Sequence, residues 1–156
     1  MSAAYVTLGV GGETYAVAAS TVTEVVKLQP LTRIPAMPRC IRGLMNLRGT
    51  VIAVVDLARQ LGVGETEITD RTCVAVVDTP EADGVRSIMG VISDEVQDVV
   101  TLEENAIEAA PAFGTRVPPA YLAGITRIGE RSMLVLDLAR ILSADEIFAM
   151  HEAARP

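Results

Sequence analysis

The stretch AVVDLARQL, residues 53–61, returns as LVLDLARIL, residues 134–142. Laid on each other, the two copies match without a gap from residues 40–61 onto 121–142. Gly43/Gly124, Val54/Val135, Asp56/Asp137, Leu57/Leu138, Ala58/Ala139, Arg59/Arg140 and Leu61/Leu142 are identical. In each copy an apolar run of strand character ends at an Asp, and Leu-Ala-Arg follows. An Asp at a strand-to-helix junction satisfies free backbone N–H groups. Asp56 and Asp137 therefore read as N-caps of short helices, and Gly62 as the stop of the first. The repeated unit, 40–62 and again 121–142, is a β-hairpin plus a helical turn.

Working outward, residues 5–10 and 14–17 flank Gly11-Gly12 and predict another hairpin. Residues 20–28 mix helical spacing of valines with β-branched content, which predicts a short helical turn running into a strand. Pro30, Pro35 and Pro38 break the next stretch into irregular chain. Residues 41–47 and 51–55 pair through Arg48-Gly49, and the second run is apolar enough to predict burial on both faces. Further strands are predicted over 73–77, 87–92 and 96–102. Thr101-Leu102-Glu103-Glu104 has capping-box spacing and predicts a short helix to Ile107. Residues 110–119 read as loop. A second capping box at Ser143–Glu146 predicts a C-terminal helix and tail over 144–156. Many short strands with short helices make this an all-β chain, one domain over 4–143 containing two small β-barrel subdomains that depend on each other for a core.

Half of the 156 residues are hydrophobic and only 3% aromatic, so the core is aliphatic. No apolar run reaches the roughly 18–20 residues that span a bilayer. No signal-peptide pattern opens the chain, so a cytoplasmic protein is expected. Cys40 and Cys73 predict two reduced, mostly buried thiols rather than a disulfide or metal framework. Net charge is −7, which argues against nucleic acid as main partner. Between Val25 and Val55, however, stand Lys27, Arg33, Arg39, Arg42 and Arg48 with no Asp or Glu. These five of the 13 basic residues leave eight against all 20 acidic ones. The basic segment either solvates loops or meets an acidic protein face.

Catalytic chemistry is sparse. The single His, His151, lies in the predicted terminal helix, no cofactor motif is present, and Asp56 and Asp137 have the setting of caps rather than of an acid/base pair. A small enzyme using those paired carboxylates is the rival class; a binding module without cofactor or metal is the reading preferred. The repeat also carries an asymmetry: Arg48-Gly49 in the first copy stands where the second has Gly129-Glu130. What recurs is scaffold, and Arg48 is the candidate for a contact made by one unit only. Its planar guanidinium suits bidentate pairing with a carboxylate.

Ile41-Arg42-Gly43-Leu44-Met45-Asn46-Leu47-Arg48-Gly49 with the strand after it resembles the core motif of the CheW family of chemotaxis coupling proteins. Glu13–Val17, Val22–Val25, Thr32–Pro35 and Leu122–Gly124 fall in the same order, so the resemblance spans about residues 5–142. It implies two intertwined five-stranded, SH3-like β-barrels around a shared hydrophobic core. It implies a non-enzymatic adaptor that ties a CheA-type histidine kinase, through its regulatory domain, to the cytoplasmic tips of methyl-accepting chemoreceptors. The chain would join membrane receptor arrays through partners, without inserting. An alternative keeps the fold but binds kinase and not receptor, as a scaffold of a motility or development pathway. By resemblance the receptor-facing residues are Arg48, Asn46, Gly49, Glu24, Val22, Val74 and Gly43; kinase-contact residues are left open.

Overall fold

The computed structural model describes residues 2–80, 86–109 and 117–143. β1 (Ser2–Val10) and β2 (Glu13–Ala18) form a hairpin at Gly11-Gly12, both glycines having positive φ. A 3₁₀ turn, Ala19–Thr21, leads into β3 (Val22–Lys27), the predicted helical turn and strand. The first repeat unit is β4 (Ile41–Leu47), β5 (Thr50–Asp56) and α1 (Leu57–Leu61), with Gly62 in the left-handed conformation at its end. Then come β6 (Cys73–Pro80), β7 (Arg86–Ser93) and β8 (Glu95–Glu103). The second unit is β9 (Leu122–Ile128), β10 (Arg131–Leu136) and α2 (Leu138–Ile141).

These strands make two five-stranded sheets, ordered β8-β1-β2-β10-β9 and β3-β6-β7-β5-β4. The arrangement is the same twice. A hairpin (β1–β2 or β6–β7) has an antiparallel neighbour on one side (β8 or β3). On its other side lies a parallel neighbour (β10 or β5), which is itself paired to the strand before it. In the second sheet all five strands are consecutive in the chain. The first sheet takes its hairpin from the N-terminus and its other strands from after β7. The second copy is thus opened at its hairpin, and this is how the two sheets intertwine.

The sheets share one core. Leu8, Val10 and Val17 from the first meet Val55, Val77 and Val91 from the second, with Leu57, Leu61, Leu138 and Ile141 of the helices between them. Each sheet also curls over a smaller cluster: Met45, Ile52, Val54, Val74 and Ile92 in one, Ala16, Met133 and Val135 in the other. Neither small cluster would hold a subdomain by itself, so the common core joins the two.

Three expectations are corrected. Val51 is 61% exposed rather than buried. It sits one pair in from the β4–β5 turn, opposite Asn46, and β7 joins β5 only from Ala53 onward, so no strand flanks it on that side. The capping box at Thr101 does not form. Thr101 and Leu102 stay in β8, paired to Ala4 and Ala3, because ladder hydrogen bonds to β1 outweigh one local cap. Only a 3₁₀ turn, Glu104–Ala106, follows, with no side-chain cap. Of the two cysteines, both free, Cys40 is buried but Cys73, at the start of β6, is only half-buried. The C-terminal helix with His151, and most of the 110–119 loop, lie outside the described residues.

Candidate partner-binding face

Between the paired residues Leu47 and Thr50 stand only Arg48 (φ +49°) and Gly49 (φ +88°). Two positive φ values in a two-residue loop are the pattern of a type I′ hairpin turn. The Asn46 side-chain carbonyl accepts from the Gly49 N–H at 2.8 Å and pins the turn. In the second copy Gly129 (φ +62°) comes first and Glu130 has no positive φ, the pattern of a type II′ turn. The sequence asymmetry is a change of turn type. It places a non-glycine residue, Arg48, in a conformation that L side chains adopt only at a cost.

β3 and β4 are the two edges of their sheet. Arg48 reaches across from the β4–β5 turn and donates from Nη1 and Nη2 to the two Glu24 carboxylate oxygens of β3, at 2.8 and 2.6 Å. The Arg48 side chain is 67% exposed and that of Glu24 35%, so the pair is oriented yet accessible. Hydrogen bonding to Arg48 holds the Glu24 carboxyl below the usual carboxylate range, and Glu24 raises the Arg48 guanidinium in turn.

Of the seven residues singled out in the sequence, four gather here: Arg48, Gly49, Asn46 and Glu24. Val22 is half-buried and packs on the shared core at the other end of the β3 bulge from Glu24. Val74 is fully buried and lies over Gly90, where a Cβ would come within 2.6 Å of its Cγ1. Gly43 is buried beneath the Thr32–Leu44 bridge. A Cβ on it, at φ +158°, would meet the Thr32 carbonyl at 2.9 Å. Its repeat partner Gly124, at φ +159°, lies closer still under Glu108, which bridges Ile125, a Cβ there meeting the Glu108 carbonyl at 2.5 Å. Val74 and Gly43 thus support this sheet from inside.

Sequence reasoning missed the partners of Asp56. As predicted, it caps α1, Oδ1 accepting from the Ala58 N–H at 3.0 Å, and Asp137 caps α2 through the Arg140 N–H at 3.2 Å. Asp56 is also fully buried, accepting from Arg42 Nη1 at 2.8 Å, the Thr66 N–H at 3.0 Å and Thr66 Oγ1 at 2.7 Å. Arg59 pairs with Glu65 alongside. The network straps the 62–70 link onto β4. The acid-free basic segment already pointed to Arg42, but its acceptor is 14 residues away. Beside the network, the 31–39 segment and β4 enclose an open cleft of about 840 Å³. Burial pushes the Cys40 thiol up to about 11. Among the described residues no group of His, Cys, Asp or Glu could hold a metal ion, and no helix is long and apolar enough to cross a membrane.

The duplicated β-unit carries an oriented turn arginine on one copy only, and its paired aspartates are both engaged as caps. The CheW-like domain model matches residues 4–146, and the chain belongs to that family, a family of chemotaxis scaffolds and adaptors without catalytic activity. It is 32% identical to the chemotaxis protein CheW of Bacillus subtilis, over 87% of this chain and 84% of that one. It is 28% identical to that of Klebsiella aerogenes, over 93% and 84%. The crystal structure of the scaffolding protein TtCheW from Thermoanaerobacter tengcongensis superposes with a TM-score of 0.80 at 29% identity, covering 94% of this chain and 91% of that one.

Proposed function

We propose that this chain is a cytoplasmic adaptor that couples a CheA-type histidine kinase to the tips of chemoreceptors, with the Arg48 face meeting the receptor. The observation that carries the reading is the Arg48–Glu24 pair. A turn residue is held at positive φ, clamped by two hydrogen bonds and still largely exposed, on the one repeat unit that has it. Backbone strain kept at a surface position is most readily understood as serving a contact. Asn46 and Gly49 shape the turn, Glu24 aims the guanidinium, and Val22, Val74 and Gly43 set the position of β3 and β4 behind it. A receptor tip is helical, and a helix laid against this face would place a carboxylate or helix-end carbonyls on Arg48.

The test is co-sedimentation with a receptor signalling fragment in nanodiscs, alongside binding to the kinase's regulatory domain. Wild type sediments with receptor, and Arg48→Glu, folded by circular dichroism, does not. Wild-type protein that binds the kinase domain but never sediments with receptor would make it a kinase-only scaffold.

A further inference from the structure

The cleft beside β4 is lined by four arginines and one acid, Glu65. Two of the arginines are engaged: Arg42 with Asp56 and Glu65, Arg59 with Glu65. The other two, Arg33 and Arg39, are exposed and make no ion pair among the described residues. Exposed Ile34 and Ile68 flank them with apolar surface. In a chain of net charge −7 this is a local positive concavity, so it favours an acidic occupant and the remaining surface disfavours one elsewhere.

Two further observations bear on its use. The repeat offset that carries Arg48 onto Gly129 carries Arg39 onto Ala120 and Arg42 onto Ala123. Two of the cleft arginines, like the turn arginine, therefore have no counterpart at the matching positions of the second unit. Neither Arg48 nor Glu24 lines the cleft. The outward backbone groups of Leu44 are both taken by Thr32, at 2.8 Å each, so an occupant here is held by side chains rather than added as a strand.

An adaptor must hold two proteins at once, and its two surfaces must be separate. We propose that this cleft takes an acidic segment of the kinase, its carboxylates on Arg33 and Arg39 and its apolar side chains against Ile34 and Ile68, while the Arg48 face is left for the receptor. The assignment rests on the coupling reading above.

The experiment compares wild type, Arg33→Glu/Arg39→Glu and Arg33→Gln/Arg39→Gln in titration calorimetry with the kinase's regulatory domain, and in co-sedimentation with the receptor fragment. Both side chains are exposed, so both variants are expected to fold, and circular dichroism checks it. The charge reversal lowers kinase affinity at least tenfold and leaves receptor co-sedimentation unchanged. The Gln pair falls between, and flattens the loss of affinity that added salt causes in wild type. Kinase affinity within twofold of wild type for the reversal, or equal loss of both partners, overturns the assignment while leaving the coupling reading in place. Wild-type protein that binds neither fragment overturns both.

Discussion

Arg48 and Glu24 face each other across the two edges of one sheet, joined by parallel hydrogen bonds of 2.8 and 2.6 Å. The pair does two separable things: it ties the β4–β5 turn to β3, and it presents a fixed cation. Exchanging the charges, Glu24→Arg with Arg48→Glu, keeps the first and inverts the second. The exchanged protein should melt within a few degrees of wild type, yet fail to sediment with receptor fragment. If it sediments normally, the guanidinium at position 48 is not the contact.

The same pair has a pH signature. The folded-state pKa of Glu24 is lowered by Arg48, so its contribution to stability is present above the unfolded carboxylate value, about 4.3. It fades as pH falls through the lower folded value. Arg48→Ala has no such contribution to lose. The gap in melting temperature between wild type and Arg48→Ala should therefore be open at pH 6 and narrow towards pH 3. A gap that is constant over that range would mean that the ion pair does not persist in solution.

Local features were legible in the sequence because their causes are local. The Gly11-Gly12 hairpin, the Asp56 and Asp137 caps and the Gly62 stop each follow from a few neighbouring residues. What could not be read depends on distant pairing. The return of β8 to β1 kept Thr101 in a strand against its own capping signal. The late arrival of β7 beside β5 left Val51 exposed. Arg48 and Asn46 could be picked out as a turn, but Glu24 as the acceptor lies 24 residues away, and only the resemblance placed the two on one face. The strap of Arg42 and Thr66 on Asp56, and the cleft beside it, needed the fold.

The repeat glycines grade by the space above them. Gly43→Ala puts a Cβ 2.9 Å from the Thr32 carbonyl, whereas Gly124→Ala puts one 2.5 Å from that of Glu108 and 2.6 Å from Ile107 Cγ2. Each requires the bridging segment to move, costing roughly 1–3 kcal/mol, with Gly124→Ala the larger. Urea unfolding midpoints should rank wild type above Gly43→Ala above Gly124→Ala. The reverse order of the two variants would mean that the segment over Gly124 yields more readily than the one over Gly43, since the two backbones have nearly the same φ.

The two thiols should differ in reactivity. Cys40 is buried with its thiol raised to about 11, whereas Cys73 is half-buried at the start of β6. Thiolate is the reactive form. Iodoacetamide at pH 8 should label Cys73 in the native protein and Cys40 only after denaturation, as read by peptide mass spectrometry. Equal native labelling would place Cys40 at the surface.

Asp56 and Asp137 occupy the same place in the repeat and carry different loads. Asp137 gives one cap hydrogen bond, so Asp137→Ala should cost about 1 kcal/mol. Asp56 holds a guanidinium, two backbone N–H groups and a hydroxyl from a fully buried position. Its loss takes from Arg42 its buried acceptor and frees the 62–70 segment at Thr66, so Asp56→Ala should cost roughly 3–5 kcal/mol. Asp56→Asn keeps the shape but not the charge and should fall between. Removing both partners, Asp56→Ala with Arg42→Met, should recover part of the loss, because no guanidinium is then left facing the site of its missing buried acceptor. Denaturant unfolding of the four variants measures this. Equal destabilisation by the two single Ala changes would mean that Asp56 acts only as a cap, and that the buried contacts around it contribute nothing.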